Sequence, residues 1–499
     1  MVLEKEMECS PLTLLQQNLW AALAFLAAAS LIQYLYPLLC GTKTGRLTLR
    51  RILRILLRST LAFGIYTVLG ASLPYICPPK PTKADRAVLP ADYYGAAAIS
   101  QRAALISDNR EALTLRLQMI REAREQIILT TFSIHGDDSG LDLCAALLEA
   151  ADRGVQVGIL TDGFDAMTDN DGKRPFTALA AHPNISFHVY APGNVLRPGK
   201  AMARMHEKYL ICDGETLLLG GRNCHDYFLG DYPARIHNID LDVLVTGGGA
   251  VIEQLTARYQ AVLARKDTLS LPAETDPKII ESCFNQLRAH AAMLSEDLPA
   301  FDYAGRTAPC NQITLIASSL DPKPKAPIVW QALCDLMENA EEEVLVHTPY
   351  LICSRAMKQD LARIAQNTAL RITLNSPCTS ANLFGAAVYL NDKQNLLDTG
   401  ADILEYHGSR SSHTKAICID ERLAVVGSFN FDMRSAYIDS ELMLAIDSPE
   451  LARQLKTFME AVETKATPAG DPMLLDISPA RDRMIGLLRL FERPFRHLL

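Results

Sequence analysis

The sequence predicts an α/β protein built from two tandem halves of one design, preceded by a helical hairpin in a membrane. Three observations carry this expectation. Beyond about residue 91 the 499-residue chain alternates helical and strand patterns, which implies parallel strands joined by crossover helices. A spaced set of polar residues that begins at His206 recurs at His413. Near the N-terminus, two uncharged apolar segments flank a basic stretch.

Residues 10–42 carry no charge, and 19–40 is long enough to span a bilayer. Lys43, Arg46, Arg50, Arg51, Arg54 and Arg58 follow with no acidic residue among them, and residues 59–77 are again uncharged and mostly apolar. The first stretch is too long for the apolar part of a signal peptide and lacks a clear cleavage site. Residues 1–78 are therefore expected to form a hairpin with spans at 19–40 and 59–77. A Pro-rich linker covers 79–92. The excess of basic residues puts the intervening loop in the cytoplasm and the large C-terminal part on the non-cytoplasmic side.

The first half, residues 93–300, shows a helical pattern at 113–123 and a buried strand at 126–134. An amphipathic helix at 141–151 closes at Arg153-Gly154, and a second buried strand occupies 155–160. In the second half, residues 301–476, the order recurs: helix 328–339, strand 343–348, helix 354–366, strand 370–374 and helix 387–398. A basic amphipathic tail, residues 477–499, suits an anionic membrane surface or docking on the body.

Each half reaches its own signature. The first reads His206-Glu207-Lys208, four residues, Asp213, six residues, then Gly220-Gly221-Arg222-Asn223. The second reads His413-Thr414-Lys415, four residues, Asp420, six residues, then Gly427-Ser428-Phe429-Asn430. On a strand, residues two apart share a face, so His413 and Lys415 project together, with Asn430 able to join them past the Gly-Ser turn. Each half continues to an acidic residue that opens an apolar strand, Glu441 in the second. In the first, Asp240 and Asp242 compete, and Asp240 fits better because Leu241–Val245 then aligns with Leu442–Ile446. Matching spacing at this many positions is an internal duplication.

At these residues the chain resembles the phospholipase D superfamily, and within it the bacterial cardiolipin synthase branch. The resemblance covers roughly residues 91–476. Tyr227-Phe228, the run from Gly427 to Ser435, and His347-Thr348-Pro349-Tyr350 also look like that group's motif regions. It implies two similar α/β halves packed face to face, with both motifs meeting at one site. Gly221, where many members have Ser, is a departure.

A phosphodiester is anionic and resists attack, so a catalyst must neutralise charge, supply a nucleophile and protonate the leaving oxygen. Lys208 and Lys415 offer positive charge, Asn223 and Asn430 offer hydrogen bonds, and the histidines offer a nucleophile and an acid near neutral pH. The resemblance implies His206 as nucleophile, forming a phosphohistidine, and His413 as acid/base. It gives Asp240 and Glu441 the task of holding the imidazoles in the required tautomer. Asp213 and Asp420 are expected to serve structural ion pairs. Arg222 and Arg434 are read as contacts to a headgroup or as support around the site, and the other histidines as structural.

The expected function is a membrane-bound phosphatidyltransferase of cardiolipin synthase type acting on phosphatidylglycerol or phosphatidylethanolamine, in a bacterial inner membrane. A hydrolytic phospholipase D shares every catalytic residue with it. The net charge of −8 and pI of 5.8 argue against a nuclease and a nucleic-acid partner. Two complete motifs argue against a non-catalytic scaffold. Twelve cysteines form no C-x-x-C pair and no Cys/His cluster at zinc spacing, so no metal and no cofactor are expected.

Overall fold

The computed structural model describes residues 49–80, 90–163, 173–193, 197–234, 236–294, 300–471 and 477–499. Two sheets dominate it. In spatial order the first runs Ala308–Pro309, Arg102–Ile106, Asp242–Thr246, Thr216–Gly220, Tyr209–Cys212, Gln126–Thr131, Gln156–Asp162, Ile185–Tyr190 and Thr268–Ser270. The second runs Gln312–Ala317, Leu442–Asp447, Leu423–Gly427, Ala416–Ile419, Glu343–His347, Ala369–Asn375, Asp402–Tyr406 and Ala466–Pro468. Apart from the added first strand, the two orders are the same. The duplication read from the motifs extends through the whole sheet.

The sheets are mixed, where parallel strands were expected. Gln126–Thr131, Gln156–Asp162 and Ile185–Tyr190 are parallel, as are their counterparts in the second half. The strands that follow each His-x-Lys run antiparallel to this block. Each of these strands then folds straight back into its neighbour. Asp213 and Gly214, with φ of 54° and 68°, and Asp420 and Glu421, with φ of 52° and 47°, form two-residue hairpin turns whose twist matches the flanking strands.

Those two aspartates also correct an expectation. They are structural, but through the backbone rather than through ion pairs. Asp213 accepts the N–H groups of Arg124, Glu125 and Gln126 at 2.8–2.9 Å. Asp420 accepts those of Glu341, Glu342 and Glu343 at 2.8–3.0 Å. Each carboxylate thus ties the motif hairpin to the segment entering its neighbouring strand.

The sheets pack face to face. Leu217, Leu219 and Val243 from one half share a core with Ala424, Val426 and Leu444 from the other. On the outer faces, helices Asn109–Glu122, Asp138–Asp152 and Pro277–Leu294 cover the first sheet. Ile328–Glu338, Arg355–Asn367 and Leu383–Leu397 cover the second. With apolar surface covered on both sides, each sheet is held rigid, and what it carries at its strand ends is held with it.

The terminal segments meet on the body. The helix Leu49–Ser72 starts inside the basic stretch, so from Leu49 onward that stretch is helix rather than the expected loop. The expected second span falls on this helix, yet among the described residues no helix is long and apolar enough to cross a membrane. The expected first span, 19–40, and most of the linker lie outside the described residues, and with them the basis for a membrane orientation. The tail docks on the body: helix Pro479–Phe491 packs on Leu383–Leu397 through buried Ile485. His497 then meets Ser72, its Nε2 lying 2.9 Å from the hydroxyl.

Replacing Asp420 by Ala leaves three N–H groups without their acceptor and a Cβ-bearing residue at positive φ. A loss of about 1–2 kcal/mol is expected, read from the denaturant midpoint. An unchanged midpoint contradicts the role given to this carboxylate.

Candidate active site

The segments carrying the two histidines enter their strands from the seam between the halves. Met205 bridges to Ser440 in parallel, and the His206 N–H donates to the Ser440 carbonyl at 3.0 Å. Ser411–Ser412 pairs in parallel with Asn238–Ile239, and the His413 N–H donates to the Ile239 carbonyl at 2.7 Å. Each histidine is therefore fixed against the residue that precedes the other half's carboxylate. His206 and His413 lie just upstream of their strands, which begin at Tyr209 and Ala416, and not within them as expected.

The consequence is a crossed pairing. His206 Nδ1 lies 3.0 and 3.1 Å from the Glu441 carboxylate oxygens. His413 Nδ1 lies 2.6 Å from Asp240 Oδ2. Both carboxylates are fully buried, while both imidazoles keep an open edge, 14% and 17% exposed. With Nδ1 engaged, Nε2 is the atom each ring has left for a substrate, that of His413 lying 3.0 Å from Lys415 Nζ. Asp242, the competing first-half candidate, instead pairs with Arg116 and Arg222 at 2.9 and 3.3 Å.

Lys208 and Lys415 are buried beside their histidines. Lys208 donates to the His206 carbonyl at 2.6 Å, and Lys415 Nζ lies 2.7 and 3.0 Å from the ring nitrogens of His413. The charge of Lys415 reaches His206 and that of Lys208 reaches His413, so the two sets form one electrostatic unit. Asn223 and Asn430 are buried, and the carboxamide oxygen of each has no hydrogen-bond partner. Those oxygens call for a donor, and the amide nitrogens are the atoms able to donate to a phosphate oxygen.

Burial sets the protonation of the site. It brings His413 to about 3, Lys208 to about 7 and Lys415 to about 8. Burial, joined by Lys208 and Lys415, holds His206 well below its ordinary value. The carboxylates diverge. Burial pushes Glu441 up to about 8. For Asp240 burial acts in the same direction, but Lys415 and His413 outweigh it and keep the carboxyl low.

The supports differ between halves in a way that explains Gly221. Ser428 and Ser435 donate to the two oxygens of Glu441, and the Ser318 hydroxyl accepts the Glu441 N–H at 2.7 Å. In the first half a Cβ at Gly221 would lie 2.3 Å from Asp240 Oδ1. The departure from Ser there leaves room for the shorter carboxylate.

Residues 117–257 and 333–462, more than half of the chain, match the family described as "Cardiolipin synthase, PLD-like domain". The chain belongs to this family. With it, the chain is an enzyme of phosphodiester transfer. Cardiolipin synthase C of Escherichia coli is 27% identical over 396 residues, 70% of this chain and 82% of that protein. The major cardiolipin synthase of Bacillus subtilis is 25% identical over 365 residues, 71% and 68% of the two chains. The crystal structure of phosphatidylserine synthase from Haemophilus influenzae has the same fold: TM-score 0.60, 15% identity, 80% of this chain and 95% of that one covered.

In this phospholipase D-like site, several residues had no role assigned from sequence. Phe132 meets the His206 ring edge-on at 5.4 Å and Phe228 meets His413 at 4.9 Å. Both aromatics come from the first half. Ser428 stood in the motif as a turn residue, and its hydroxyl was the available signal. Arg222 and Arg434 prove to be supports. Arg222 is buried and donates to the carbonyls of Ile106, Ser107 and Asp240. Arg434 joins Asp439 at 2.8 Å and the carbonyls of Met202 and Leu498. His347 is buried against Glu463 at 3.2 Å.

Gly221→Ser drives a Cβ into Asp240 and so disturbs His413. A fall in turnover of about 10- to 100-fold is expected, since small displacements cost this much. Ser428→Gly, which removes one of two hydroxyls on Glu441, has the smaller effect. Equal activities of Gly221→Ser and the parent contradict this reading.

Proposed function

We propose that the chain is a membrane-associated phosphatidyltransferase of cardiolipin synthase type, working through a phosphohistidine. The crossed pairs His206–Glu441 and His413–Asp240 carry the proposal, because they set two Nε2 atoms beside two buried ammonium groups at one site. His206 Nε2 attacks phosphorus of a phospholipid, and the bond to the leaving alcohol oxygen breaks. His413 Nε2 gives its proton to that oxygen. A hydroxyl of phosphatidylglycerol then gives its proton to His413 and attacks phosphorus, and the P–N bond breaks. Lys208 and Lys415 hold the non-bridging oxygens, with hydrogen bonds from Asn223 and Asn430.

The division of labour rests on the carboxylates. Asp240 is kept ionised and opposes the burial and the Lys415 charge that hold free His413 near 3, and the incoming phosphodiester's own charge adds to this pull toward the imidazolium that the acid step needs. Glu441, raised by burial, gives His206 less support for a second proton. His206 stays neutral, which suits a nucleophile. Family membership and the named relatives support the transferase over a nuclease. Exposed Leu57, Leu61 and Phe63 on the helix Leu49–Ser72, with Leu487, Leu490 and Phe491 on the last helix, support membrane association.

Purified protein given labelled phosphatidylglycerol is expected to yield cardiolipin and glycerol. Phosphatidic acid without cardiolipin would instead assign a hydrolytic phospholipase D. His206→Ala and His413→Ala should each lower turnover by about 10³-fold or more, and substantial activity in either defeats the two-histidine scheme. The protein should also float with phosphatidylglycerol vesicles in a density gradient. Sedimenting free of them contradicts membrane association.

The pH dependence follows from the lysines. Their folded-state values are lowered, so the ammonium forms are present below about 7 and 8 and are lost as pH rises through these values. Because kcat/KM reports groups of the free enzyme, it should fall above about pH 7. A kcat/KM that climbs steadily to pH 9 contradicts the assignment.

A further inference from the structure

Outside the catalytic set, one cluster of side chains is organised as though for a ligand. A parallel bridge joins Ile134 to Cys224, with His135 N–H on the Cys224 carbonyl at 3.2 Å and Cys224 N–H on the Ser133 carbonyl at 2.9 Å. The next residue on each segment is a histidine. His135 and His225 therefore lie side by side, their rings stacked at 4.2 Å and 8°. Asp137, two residues on, is held by the N–H groups of Asp226 and Gly140 at 2.9 and 3.2 Å.

We propose that His135, Asp137 and His225 form a binding site for one divalent transition-metal ion of the Zn2+ type. One potential ligand atom from each lies within 4.8 Å of the others. Bonds of about 2.0–2.2 Å put ligand atoms up to about 4 Å apart, so closing the set takes a shift of under about 1 Å together with a tilt of the His135 ring out of its stack on His225. His135 and Asp137 are both partly exposed. The second observation is independent of this spacing. His225 is only 6% exposed, and its Nδ1 is buried with no partner. A metal ion satisfies that atom.

The chemistry of the three groups agrees. Two imidazoles and a carboxylate suit Zn2+ and its neighbours and leave coordination positions open. Ser133 Oγ, 2.8 Å from His135 Nε2, helps to orient the ring. The His225 ring packs on Phe228 at 5.0 Å, and Phe228 packs on His413 at 4.9 Å. The ion is thus one aromatic layer from the acid/base histidine, where it positions rather than reacts. Sequence spacing concealed this site because its ligands come from two distant strand ends.

The test uses the full chain in detergent, stripped with EDTA and titrated with Co2+ and then Zn2+. One equivalent of Co2+ is expected, with visible d–d bands, no thiolate charge-transfer band, and displacement by Zn2+. The absent thiolate band separates this site from binding at exposed Cys77. His225→Ala and Asp137→Asn should each weaken Co2+ binding at least about tenfold in protein that still melts cooperatively without metal. His135→Gln, at a partly exposed ring, gives the same readout if His225→Ala does not fold. No stoichiometric Co2+, a thiolate band, or affinity unchanged in the folded variants overturns the proposal.

Discussion

The structure depends on the seam where each half supplies the carboxylate for the other half's histidine. Glu441 lies against His206 and Asp240 against His413, and each contact is locked by a backbone bond one residue away. Neither imidazole has its orienting group within its own half. The two sheets could each fold around their own outer cores, but the paired carboxylates, both fully buried, would then lack the partners that offset their desolvation. Joining the halves and completing the site are the same event.

That arrangement also breaks the symmetry it arises from. Duplication provides two equivalent histidines, and a chemical step needs two different ones. The difference enters through the carboxylates: Glu441 sits among serine hydroxyls and is raised by burial, while Asp240 sits against Gly221 and is kept low by Lys415 and His413. A one-methylene difference in side-chain length, with Gly in place of Ser, is enough to separate the environments of two otherwise matched imidazoles.

Much of this was legible in the sequence because the motif spacing repeats. His206, Lys208 and Asn223 could be matched to His413, Lys415 and Asn430 without a fold, and the α/β alternation named the layers. Asp240 was separated from Asp242 by strand alignment alone, and the pairing of Asp242 with Arg116 and Arg222 gives the physical reason. The crossing was not legible, because a contact between halves leaves no local pattern. The antiparallel motif strands were hidden for a different reason: apolar periodicity reports burial and is blind to strand direction. The basic stretch before residue 59 read as a loop because charge was weighed above helix propensity, although Arg and Leu are both good helix formers.

The crossed pairing can be measured directly from the low-field imidazole N–H protons of histidine-labelled protein. Glu441→Gln should move the Nδ1–H resonance of His206 and leave that of His413, and Asp240→Asn should do the reverse. Each variant shifting the histidine of its own half would contradict the account.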